Sequence, residues 1–95
     1  MSWTVEVQRP AEKELANLPH QAQERIAEAL RALEKNPFPR GVKKLKARDG
    51  YRIRVGDYRV VFRVDHRARL LRIAAIGHRK DVYRLQTERD NAWAH

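Results

Sequence analysis

The chain has 95 residues, 21 Lys and Arg against 12 Asp and Glu, a formal charge of +9, and no cysteine. That length holds one domain with one modest core and leaves no room for a buried-cofactor fold. The missing cysteines exclude disulfides, thiolate catalysis and Cys-based zinc sites, and no apolar run reaches the length of a membrane span. Met1-Ser2-Trp3-Thr4-Val5 has no basic start followed by an apolar block, so no secretory signal is visible and a cytoplasmic protein is expected.

In chain order, Trp3 to Gln8 alternates with period two and predicts a strand. Pro10 opens a helix that Ala11 to Leu18 continues, with Leu15 and Leu18 on one face. Pro19 breaks it and starts a second helix to about Lys35, whose Ala22, Ile26, Ala29, Leu30 and Leu33 keep helical spacing. Asn36-Pro37-Phe38-Pro39 ends the helical region. Val42 to Leu45 predicts a short edge strand and Ala47 to Gly50 a turn. Tyr51, Ile53 and Val55 alternate with Arg52 and Arg54, Gly56-Asp57 is a two-residue hairpin loop, and Tyr58, Val60, Phe62 and Val64 alternate with Arg59, Val61 and Arg63. Asp65 to Arg69 turns the chain, Leu70 to Ile76 is a mostly apolar central strand, and Gly77 is expected to end it. Residues 79–85 form a short helix or a last extended segment, and 86–95 a polar tail. The expected architecture is α+β, a single domain over 1–95 with its core at about 3–85. A small, antiparallel-rich sheet of four to five strands packs against an N-terminal helical hairpin.

The charge is concentrated. Twelve of the 21 basic residues lie between Arg40 and Arg72, against Asp49, Asp57 and Asp65 alone. With Gly56 and Asp57 as the loop, Arg54 falls opposite Arg59, and Arg52, Arg54, Arg59, Val61 and Arg63 share the face away from the core. Like charges directly across an antiparallel pair cost up to roughly 1 kcal/mol. An anion between the two would relieve that cost. Arginine suits phosphate, because its planar fork binds two oxygens and stays charged. The competing explanation is that the guanidinium groups splay into solvent or meet acids from elsewhere in the chain. Lys43, Lys44 and Lys46 form a second basic patch that either tracks a nucleic-acid backbone or protects an edge strand. A localised basic sheet face points first to RNA or DNA.

A second constellation follows the last strand, in Gly77-His78-Arg79-Lys80-Asp81-Val82-Tyr83. His78 is a candidate acid or base near neutral pH, and neighbouring arginines would favour the Tyr83 phenolate. The plainer alternatives are that His78 caps the strand end and that Tyr83 packs with a wet hydroxyl. His20, His66 and His95 show no metal-ligand spacing, and neither a metal nor a cofactor is expected.

The hairpin Tyr51 to Phe62 and the segment Ile76 to Tyr83, in this order of elements, resemble the RelE-family toxins of type II toxin–antitoxin pairs. The resemblance covers about residues 3–85. It implies the microbial-RNase-like RelE fold and a ribosome-dependent endoribonuclease, metal-independent and without cofactor, that cuts mRNA in the ribosomal A site and so inhibits translation. It implies as partners a RelB-like antitoxin, the ribosome with its mRNA and rRNA, and operator DNA only through the antitoxin. Carried over by position, it implies a catalytic set of Arg54, Arg59, Arg79 and Tyr83, with His78 as the alternative proton-transfer group. Lys43, Lys44, Lys46, Arg52 and Arg63 are then the RNA-binding residues. Strand positions often filled by Lys in that family are Arg here, so a Lys-type base role does not transfer to Arg54. A ParE-like gyrase inhibitor, or a catalytically weak RNA-binding relative, is the alternative.

Overall fold

A computed structural model of the chain describes residues 3–45 and 50–78. Strand β1 (Thr4–Val7) leads into helices α1 (Arg9–Ala16) and α2 (His20–Lys35), followed by β2 (Lys43–Lys44), β3 (Gly50–Val55), β4 (Tyr58–Asp65) and β5 (Leu70–His78). The five strands form one sheet in the order β1-β5-β4-β3-β2. All neighbours are antiparallel except β1, which runs parallel to β5. The two helices cover one face of the sheet. This is the α+β architecture that the alternation pattern implies.

Both helix boundaries follow from proline. Pro10 occupies the first turn of α1, where its missing N–H costs nothing, and Pro19 stands at the N-cap of α2. Gln23 joins the two helices by donating its amide to the carbonyls of Ala16 (3.2 Å) and Leu18 (3.0 Å), groups left without intrahelical partners at the end of α1. The apolar stripe of α2 (Ala22, Ile26, Leu30 and Leu33) is buried. It meets Val60, Phe62 and Val64 of β4 and Leu71, Ile73 and Ile76 of β5 in the main core, with Tyr51, Ile53, Val55 and Tyr58 packed at its margin.

The hairpin register is the one its loop demands: Val55 pairs with Tyr58, Arg54 with Arg59, Ile53 with Val60 and Arg52 with Val61. Of the two loop residues only Gly56 has positive φ, at 60°, as a type II′ turn requires of its first position. Strand β5 departs from simple alternation. Leu71 and Ile73 are two apart but Ile76 is three further on, so a regular strand would send Ile76 to the wrong face. A bulge at Ala74 absorbs the extra residue: Val61 pairs with Ala75 while Phe62 pairs with Ile73. Gly77 does not end the strand. It pairs with Arg59, and pairing continues to His78 opposite Tyr58.

The edges are short. β2 is two exposed lysines, the kind of charged edge that resists pairing with another chain. β1 stops at Val7, so among the described residues the β1 side of β5 has no strand neighbour beyond Ile73. There the N–H of Ile76 donates to the Glu14 carboxylate of α1 at 3.1 Å. No helix among the described residues is long and apolar enough to cross a membrane.

Candidate functional site

The uncovered face of the sheet is built in cross-strand rows. At the hairpin end, Arg54, Arg59 and Gly77 lie side by side on β3, β4 and β5. The next row is Lys43, Arg52, Val61 and Ala75. Arg63 opposite Arg72 lies beyond it. Val61 and Ala75 are fully buried here and form, with Leu45, a second small core on this face. That small core is absent from the sequence expectation, which placed Val61 among the arginines as one more outward residue. Its signal was the apolar Val61 itself, in a row of otherwise basic outward positions.

Gly41, Lys43, Arg52, Arg54 and Arg59 line a cleft of about 260 Å³. Four of its five lining residues are cations, so it is a positive concavity built on strands. Arg59 is half-buried with its Nε atom out of solvent, which holds the guanidinium on a packed stem. Gly77, its cross-strand partner on β5, carries no side chain. Arg54 is exposed, and its Nε donates to the Gly56 carbonyl at 3.2 Å, tying the side chain to the loop. Gly41, not singled out in the sequence, contributes backbone to the cleft at a φ of 97° that favours glycine.

The other expected site residues divide. Lys43 faces the cleft, whereas Lys44 pairs with Tyr51 and so points to the opposite side of the sheet. Arg63 lies on the same face as the cleft but at the far end of β4. His78 is exposed at the end of β5, cross-strand from Tyr58, with the two rings edge to face at 6.0 Å. Since Tyr58 packs on the helix side, His78 is aimed away from the Arg54–Arg59 row. Arg79, Tyr83 and Lys46 lie outside the described residues. Among the described residues, no three His, Asp or Glu side chains gather as a metal site would need.

Residues 5–83 match the family profile described as the ParE toxin of type II toxin–antitoxin systems, parDE. A protein named putative toxin RelE1, from Methanocaldococcus jannaschii, is 32% identical over 88 residues, spanning 88% of this chain and 98% of that protein. The archaeal RelE–RelB complex of Pyrococcus horikoshii superposes with a TM-score of 0.74 at 33% identity, over 83% of this chain and 97% of that one. The toxin–antitoxin complex RelBE2 of Mycobacterium tuberculosis gives 0.75 at 25% identity, over 82% and 99%. The chain belongs to the RelE/ParE family of toxins of type II toxin–antitoxin systems.

Proposed function

We propose that this toxin is a ribosome-dependent mRNA endonuclease that cuts in the A site and is held inactive by a RelB-like antitoxin. The observation that carries the proposal is the cross-strand Arg54–Arg59 pair at a cleft that Arg52 and Lys43 complete. A surface selected for stability alone would interleave acids there. A phosphate bound between the two guanidinium groups would be held by both forks. The structures of relatives in complex with RelB support the antitoxin assignment, and the protein would meet operator DNA only through that antitoxin.

The reaction is transesterification. The ribose 2′-oxygen attacks the adjacent phosphorus, the bond from phosphorus to the 5′-oxygen breaks, and the products are a 2′,3′-cyclic phosphate and a 5′-hydroxyl. Charge accumulates on the equatorial oxygens of a phosphorane, where preorganised donors each contribute about 10²–10³ in rate. Arg59 and Arg54 take that role. We assign the base to Tyr83 as phenolate, in preference to His78, because His78 is turned towards Tyr58 on the helix side. Arg79 steadies the charge on the departing 5′-oxygen. Arg52 and Lys43 hold flanking phosphates, with Lys44, Lys46 and Arg63 adding to the positive field. The chemistry is metal-independent in this scheme, and orientation of the mRNA by the ribosome provides the entropic part of the rate.

Primer extension on mRNA in a cell-free translation reaction tests this. Wild-type protein should leave cuts in the A site, and Arg59→Ala and Tyr83→Phe should remove them. Intact mRNA with the wild type would overturn the proposal. The description of the matching family profile favours one second reading, a ParE-like inhibitor of DNA gyrase that acts by binding. That protein would block supercoiling and leave translated mRNA whole.

A further inference from the structure

Lys43 brings its charge to the Arg54–Arg59 cleft from β2, a strand of only two residues. A ladder that short falls below the usual strand length and holds its side chains weakly on its own. We infer that Leu45 is a positioning residue for RNA binding: packed with Val61 and Ala75, it fixes β2 so that Lys43 meets an RNA phosphate at the cleft. The inference rests on the RNA reading above and extends it to an apolar residue that touches no substrate in that reading.

Three observations carry it. First, Leu45 interrupts a basic run, Lys43-Lys44-Leu45-Lys46, and is only 6% exposed where both lysines of β2 are exposed. Protecting a sheet edge calls for another lysine at that position, not a leucine. Second, alternation places Leu45 on the same face as Lys43, the face the helices leave uncovered. There it packs with Val61 and Ala75, both fully buried, which stand in the cross-strand row of Lys43 and Arg52. Its N–H donates to the Gly50 carbonyl at 2.8 Å and carries the pairing one residue past β2. Third, the other end of β2 is anchored on the opposite face. Val42 packs against the main core, and its N–H donates to the Pro39 carbonyl at 3.2 Å across a turn in which Gly41 has a φ of 97°. Lys43 is thus bracketed by one residue seated in each core. Lysine is a point charge on a flexible stem, so the placement of its backbone decides which phosphate it reaches.

The test is a double-mutant cycle read in the salt dependence of binding to a fluorescein-labelled dodecauridylate, with wild type, Leu45→Ala, Lys43→Ala and the two together. For single strands the logarithmic salt slope is about −0.7 per phosphate contacted. Lys43→Ala should make the slope shallower by about that amount. Leu45→Ala removes no charge, yet should make it shallower by the same amount, and the double variant should lose no more than either single one. Leu45→Met, which keeps the volume, should restore the wild-type slope. Circular dichroism checks the fold of each preparation, and Leu45→Val, the milder truncation, should show part of the same loss if Leu45→Ala does not fold. A wild-type slope in a folded Leu45→Ala or Leu45→Val protein overturns the inference, because Leu45 would then serve stability alone. Losses that add in the double variant overturn it too, as does a Leu45→Met protein that binds like Leu45→Ala. A-site cleavage run in parallel keeps the two conclusions apart. If wild type cleaves mRNA and its slope is insensitive to Leu45, the positioning role alone falls. If wild type neither cleaves mRNA nor binds the oligouridylate, both fall.

Discussion

The two faces of the sheet follow opposite rules. On the helix side, Val60, Phe62, Val64, Leu71, Ile73 and Ile76 fill a core with α2, and each outward–inward alternation serves burial. On the other side, arginines are placed opposite arginines, and among the described residues a small cluster of Val61, Ala75 and Leu45 packs together. The first face holds the protein together. The second gathers cations along one face, which is what the proposed RNA contact would use.

The largest expected effect is on the first face. Phe62→Ala removes a fully buried ring and should cost about 3–5 kcal/mol, read as a fall in the urea midpoint, with activity lost only through unfolding. Glu14→Ala should cost about 1–3 kcal/mol, because it strands the Ile76 N–H where β1 no longer covers β5. Hydrogen exchange should then accelerate at Ile76 ahead of its strand neighbours. Gly56→Ala forces a side chain into positive φ, with the Arg25 guanidinium 3.4 Å from the new methyl position, and should cost about 1–2 kcal/mol. The smallest stability change separates the faces most sharply. Arg54→Glu converts a repulsive cross-strand pair into an attractive one and should raise stability by up to about 1 kcal/mol, while RNA binding weakens and its salt slope shrinks. A loss of stability there would mean that Arg54 serves the fold.

Much of this contrast was legible in the sequence. Gly56-Asp57 set between two alternating runs fixes both the hairpin register and the sharing of one face by Arg52, Arg54, Arg59 and Arg63. Those are local signals, read within a dozen residues. What the sequence hid depends on distant parts of the chain. The parallel pairing of β1 with β5 joins residues more than sixty positions apart. The bulge at Ala74 is foreshadowed only by the three-residue step from Ile73 to Ile76, and it decides that Gly77 rather than Ile76 stands opposite Arg59. The strand therefore outruns Gly77, and His78 joins Tyr58 on the helix side instead of the cleft. Glu14 carried no signal in the sequence, and only the end of β1 makes it an acceptor for β5.

The most direct test of a face that folds and a face that acts is a single variant measured twice. Arg59→Ala should keep its unfolding free energy within about 1 kcal/mol of wild type, since loss of its packed stem is offset by relief of the repulsion from Arg54. The same preparation should cut mRNA in the ribosomal A site about 10²–10³-fold more slowly. Undiminished cleavage by a stably folded Arg59→Ala protein would contradict the account.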